Sequence, residues 1–164
     1  MTQMISQTFD VKGGFHFGRD NVPKLRAELK KLGLDGFLVP HEDEYDNEYL
    51  PDCNERLLWI AGFSGSAGAA IVMSDRAAIF VDGRYTAQVK HQAAPEIFDY
   101  CDLVGQGLYG WIEEHGKPGE KIGYDARLHS PAALDLLQTA AMRAKVELVP
   151  VETNPIDLAW TDRP

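Results

Sequence analysis

Two short β-rich runs, Ala69–Met73 and Ala77–Val81, are separated only by Ser74-Asp75-Arg76, and that spacing constrains the fold more than any other feature of the chain. A connection this short has hairpin length and turn composition, so the two runs pair antiparallel. The signals around them alternate between helix and strand, the pattern of a layered α/β domain with parallel crossovers. A hairpin set into such an alternation makes the sheet mixed. A glycine-rich turn, Gly62-Phe63-Ser64-Gly65-Ser66-Ala67-Gly68, leads into the hairpin, and Asp82-Gly83-Arg84-Tyr85 leaves it. So much glycine weakens helix and strand alike, so the turn holds backbone where side chains do not fit.

Punctuation along the rest of the chain supplies the other elements. Asn21 predicts a helix cap with Pro23 in the first turn, a face built from Leu25, Leu29 and Leu32, and a stop at Gly33. Gly36–Pro40 is a continuous apolar run ended by proline, which predicts a buried strand, and a loop follows from His41 to Asp52. Asn54 is placed to cap a short helix from Arg56 to Ile60. Beyond Tyr85 the pattern predicts a helix through Gln92, a strand from Ile97 to Leu103, a helix from Leu108 to His115 and a strand from Lys121 to Asp125. Ser130 with Pro131 opens a helix to about Ala144, faced by Leu134, Leu137 and Ala141, and Val146–Pro150 is the last strand. The fold class is α/β, with a mixed, mainly parallel sheet flanked by helices. Residues 1–153 read as one domain, and 154–164, opened by Asn154-Pro155, as the start of a linker to a following domain.

Charge narrows the partners. With 25 acidic against 16 basic residues and a formal charge of -9, the chain offers no basic stripe for nucleic acid or an anionic membrane surface. A substrate carrying a positive amine fits better. Met1 to Lys12 holds no charged leader followed by an apolar block, and no later run approaches the roughly 20 apolar residues of a membrane helix, so the protein reads as soluble and cytoplasmic. Cys53 and Cys101 are too few for a disulfide framework and lack zinc-knuckle spacing, which leaves them as buried or free thiols. His16, His91, His115 and His129 are scattered without acidic partners at ligand spacing and read as solvated or helix-capping, and Trp59 and Trp111 as core or interface aromatics. The glycine-rich turn lacks the Gly-Lys-Ser/Thr of a phosphate loop and the spacing of a dinucleotide fingerprint.

The order of Val39-Pro40, an acidic loop ending Glu48-Tyr49, Glu55-Arg56, the glycine-rich turn, Asp82-Gly83-Arg84-Tyr85, Gly123-Tyr124-Asp125 and Asp162-Arg163-Pro164 resembles the N-terminal domain of Xaa-Pro aminopeptidases, the aminopeptidase P branch of the creatinase/prolidase group. The resemblance covers nearly the whole chain and implies a ribonuclease H-like sheet. It also implies that the chemistry belongs to a separate C-terminal domain, where two aspartates, a histidine and two glutamates hold two divalent metals, usually manganese. Two metals about 3.5–4 Å apart activate a bridging water and stabilise the oxyanion at the scissile amide. No carboxylate or histidine of this chain maps onto those ligands, so the isolated chain is predicted to be catalytically silent and to bind no cofactor. Its implied partners are its own catalytic domain, a peptide with proline second, and a second copy in a homodimer. The alternative is a stand-alone, noncatalytic binding or interaction module with the same fold.

Four residues stand out as candidates for the substrate cleft of such an enzyme. Asp43 and Tyr45 belong to the acidic loop His41–Tyr49, whose carboxylates either create a negative field for a free amino terminus or are simply solvated. That loop lacks the alternation and central glycine of a calcium-binding hand. Tyr45 stands where family members often carry a histidine, so a histidine-dependent role does not transfer, although a phenol still hydrogen-bonds. Arg84 either presents a forked cation to a carboxylate or peptide carbonyl, or makes an internal ion pair with Asp82 or Asp43. Phe63 either walls a bound proline or is ordinary packing.

Overall fold

The computed structural model describes residues 12–164; the reading of Met1 to Lys12 therefore falls, apart from Lys12, outside the described residues. The first helix, α1 (Phe15–Leu32), starts well before Asn21, with Gly14 at its cap. Asn21 is instead a buried residue inside the helix, and its Nδ2 donates to the Trp59 carbonyl at 2.7 Å. A side chain suited to capping has been recruited by a tertiary contact. Gly33 ends α1 in the left-handed conformation at φ 69°, as its position predicts. The face differs at one position. Val22, Leu25 and Leu29 are buried while Leu32 is 47% exposed, because Leu34, turned back by its amide bond to the Leu29 carbonyl, fills the place past the helix end.

The strands are β1 (Gly36–Pro40), β2 (Gly68–Met73), β3 (Ala77–Val81), β4 (Asp99–Asp102), β5 (Lys121–Tyr124) and β6 (Glu147–Pro150), in the order β4-β3-β2-β1-β5-β6. β2 alone runs against the others: it pairs antiparallel with β1 and β3, while β1–β5, β3–β4 and β5–β6 are parallel. The predicted hairpin and the mixed, mainly parallel sheet are both present.

Helices cover both faces, and the strands alternate between them with the two-residue period of a pleat. Phe37 and Val39 of β1, Ala70 and Val72 of β2, and Ile79 and Val81 of β3 pack with α1, α2 (Arg56–Ala61), α3 (Thr86–Gln92) and α6 (Pro155–Ala159). Leu38, Ile71, Met73, Ala78 and Phe80 face the other way, toward α4 (Gly107–His115) and α5 (Pro131–Ala144). Each large apolar side chain buried this way contributes roughly 1.5–3 kcal/mol, so the central strands hold the domain together. Asn154 and Ser130 cap α6 and α5 as predicted, through bonds from Ile156 N and Ala133 N. Asn54 does not cap α2: it closes a 3₁₀ turn, Asp52–Asn54, and its amide bonds elsewhere. The 154–164 segment packs on the domain, with Ile156 fully buried and Trp160 stacked on Trp59 at 5.8 Å. Among the described residues no helix is long and apolar enough to cross a membrane.

Candidate functional site

Because β1, β3, β4, β5 and β6 run in one direction, their carboxyl ends share one rim of the sheet. Open α/β sheets bind ligands just outside such ends. The topology brings all four sequence candidates there: Asp43 and Tyr45 follow β1, Arg84 follows β3, and Phe63 lies in the turn that enters β2. The loop after β1 is stitched to that turn where His41 N donates to the Gly68 carbonyl at 3.1 Å.

Asp43 faces inward. It is 3% exposed, and its carboxylate accepts from Tyr45 N at 3.0 Å, Asn47 N at 3.2 Å, Asn47 Nδ2 at 3.2 Å and Asn54 Nδ2 at 3.3 Å. Burial pushes this carboxyl up, but the donors from Asn47, Tyr45 and Asn54 outweigh it and hold the group below the ordinary range. Asp43 therefore organises the loop, whose Tyr45, at 77% exposed, projects outward. His41 Nε2 lies 2.9 Å from the Glu48 carbonyl and closes the loop's base.

Arg84 makes the local ion pair its sequence allows. Asp82 caps the Gly83–Tyr85 turn by accepting from Arg84 N at 2.9 Å, and takes the guanidinium through Nε at 3.2 Å and Nη2 at 2.8 Å. These bonds hold Asp82 below the usual carboxylate range. The Arg84 side chain remains 67% exposed, 5.2 Å over the Tyr85 ring, with its Nη1 donors turned to no acceptor among the described residues.

Phe63 is a floor, 1% exposed, edge-on to Tyr85 at 5.5 Å. A Cβ on Gly65 would come within 2.3 Å of the Phe63 ring, so the glycine lets the turn lie flat on the aromatic. Ser66 completes the packing: its amide donates to Tyr85 Oη at 3.2 Å and its hydroxyl shares a 2.8 Å bond with it. Between this turn and the acidic loop lies a cleft of about 230 Å³, lined by His41, Glu48, Tyr49, Glu55, Phe63 and Ser66 among others. Glu55 was not singled out as a site residue by sequence. Burial pushes its carboxyl up, with the Lys12 and His41 charges pulling the other way.

Two other expectations resolve here. Trp59 and Trp111 are core residues. His129 is not helix-capping: Ser130 does the capping, and the ring turns inward against Tyr124 at 6.0 Å, where Nε2 is buried without a hydrogen-bond partner among the described residues. Burial pushes its pKa down, against the pull of Asp125. Among the described residues no three His, Cys, Asp or Glu side chains converge to hold a metal ion, and Asp43 is already saturated by N–H donors. A dinuclear metal centre does not fit the described residues.

The profile of the Creatinase/Prolidase N-terminal domain matches residues 22–158. The "Probable Xaa-Pro aminopeptidase P" of Fusarium vanettenii is 36% identical over 143 residues, 83% of this chain but 22% of that protein. The protein of the same description from Botryotinia fuckeliana is 37% identical over 145 residues, 84% of this chain and 22% of the relative. The chain thus spans about a fifth of the length of these curated relatives. Among solved structures, the X-prolyl aminopeptidase of Caenorhabditis elegans, described as a cytosolic enzyme with a di-nuclear active site, superposes with a TM-score of 0.81 at 27% identity, over 90% of this chain and 26% of that one. The N-terminal domain of the cytoplasmic peptidase PepQ from Mycobacterium tuberculosis superposes with a TM-score of 0.65 at 29% identity, over 85% of this chain and 97% of that one.

Proposed function

The chain belongs to the Creatinase/Prolidase N-terminal domain family, and from that premise we propose that it serves as the noncatalytic N-terminal domain of a metal-dependent Xaa-Pro aminopeptidase, a hydrolase that removes the N-terminal residue from peptides with proline second. The observation that carries this reading is the division of length: most of this chain aligns with about a fifth of far longer peptidases. Hydrolysis belongs to a following catalytic domain, whose two divalent metals, manganese in this reading, supply the activated water. The enzyme acts in the cytoplasm as a homodimer, and this domain contributes dimer contact and one wall of the cleft.

The rim supplies the means. The carboxylates of the acidic loop draw the substrate's free amino terminus. Asp43 holds the loop in shape, and Tyr45, projecting outward from it, offers a phenol toward the side where the catalytic domain would close. Arg84, braced by Asp82, offers its remaining N–H donors to a peptide carbonyl or carboxylate. Phe63 keeps the floor dry and rigid.

Arg84→Ala, made in a polypeptide that carries this domain ahead of its catalytic domain, is the test. Loss of a charge-assisted hydrogen bond of about 1.5–3 kcal/mol predicts a fall in kcat/KM of about tenfold or more on a proline-second peptide, with thermal unfolding unchanged. Unchanged kcat/KM would sink the role assigned to Arg84. Release of an N-terminal residue by the isolated chain with manganese would sink the noncatalytic reading.

A further inference from the structure

Arg163 divides its guanidinium among three acceptors. Nη1 pairs with Asp157 Oδ2 at 3.0 Å, Nε donates to the Cys53 carbonyl at 2.6 Å, and Nη2 donates to Asn54 Oδ1 at 3.3 Å. The first of these stays within the C-terminal segment, on α6. The other two reach into the 3₁₀ turn Asp52–Asn54, which follows the acidic loop.

Asn54 passes the contact on. Its Nδ2 donates to Asp43 Oδ2 at 3.3 Å, and the other oxygen of that carboxylate takes the Tyr45 and Asn47 amides. The carboxamide thus sits between a cation on its oxygen and an anion on its nitrogen. Either charge alone fixes its orientation, and a flipped amide would set like poles against both. Asp157 is itself held on α2 by Arg56, so the anchor at the far end is rigid.

We infer that Asn54 and Arg163 are positioning residues: they tie the pose of the Tyr45-bearing loop to the docking of the segment that follows α6. The tie assigns a use to the Asp162-Arg163-Pro164 motif, which the cleft itself does not explain. Its meaning for substrate rests on the aminopeptidase reading above, in which the loop borders the cleft; the tie itself does not.

Amide hydrogen exchange resolved by NMR tests it on the 164-residue chain. Removal of one hydrogen-bonded support is expected to speed exchange at Tyr45 and Asn47 about fivefold in Arg163→Ala, with the hairpin amides of Ile71 and Ile79 unchanged. In an Asn54→Leu background, where those amides are already faster, Arg163→Ala is expected to add nothing. Exchange at Tyr45 and Asn47 equal to the parent's in Arg163→Ala, or an undiminished extra effect in the Asn54→Leu background, overturns the inference. If Arg163→Ala also disturbs the hairpin amides, Arg163→Lys decides. A lysine keeps a cation for Asp157 without the fork that reaches Asn54, so faster loop exchange supports the tie and parent-like exchange refutes it. None of these readouts involves turnover, so the tie and the aminopeptidase reading can fail separately.

Discussion

Arg56 donates Nε and Nη2 to the two oxygens of Asp157, at 2.8 and 2.9 Å, across 101 residues of chain. The pair fastens α6 to α2, and Arg163 adds a second cation to the same carboxylate at 3.0 Å. The Arg56 side chain is 5% exposed, and its Nη1 finds no acceptor among the described residues. Burying this cation is tolerable only because the carboxylate is there.

The two partners are therefore unequal. Asp157→Ala strands the buried Arg56 guanidinium and takes one of three acceptors from Arg163, and is expected to cost about 3–5 kcal/mol. Arg56→Met keeps an apolar stem in the buried space and leaves Asp157 paired with Arg163, so it is expected to cost less. Urea unfolding of both variants gives the order, and a larger loss in Arg56→Met would refute it.

The glycines of the two motifs also differ. A Cβ at Gly65 would meet three Phe63 ring atoms at 2.3, 2.9 and 3.0 Å, and Phe63 is itself buried and edge-packed on Tyr85. Gly65→Ala is expected to destabilise the domain by about 1–3 kcal/mol. A Cβ at Gly83 meets nothing within 4 Å and its φ is not in the left-handed range, so Gly83→Ala is expected to be neutral or to gain up to about 1 kcal/mol. Thermal midpoints of the two variants check the contrast, and equal midpoints would remove the account of the turn as backbone laid against Phe63.

What the sequence made legible follows from how local each determinant is. The hairpin, the Gly33 stop and the Ser130 and Asn154 caps depend on a few neighbouring residues, and each is present. The Arg84–Asp82 pair is equally local, two residues apart in the chain. Asn21 and Asn54 misled because an asparagine that could cap a helix is drawn off by a distant partner, Trp59 in one case and Asp43 with Arg163 in the other. The inward turn of Asp43 is of the same kind: nothing in an acidic run distinguishes the carboxylate that will gather the loop's amides from those left in water. Glu55 entered only as part of a motif, since its burial depends on how the loop folds over it.

Asp43 also sets a direction for acid. In the unfolded chain its carboxyl takes a proton near the ordinary value of about 3.9. In the folded loop burial works against ionisation, but the N–H donors of Asn47, Tyr45 and Asn54 prevail and the group titrates lower. The folded state therefore binds this proton less readily than the unfolded state does. The stability it contributes is fully present above the unfolded value and is lost as pH falls through the folded one. Two outcomes are expected: the Asp43 carboxyl carbon, followed by NMR, titrates with a midpoint below about 3.9, and Asp43→Asn, which replaces one acceptor oxygen by a donor, already speeds exchange of the Tyr45 and Asn47 amides at neutral pH. A midpoint at or above the ordinary value would mean that burial, and not the ring of donors, controls this carboxylate.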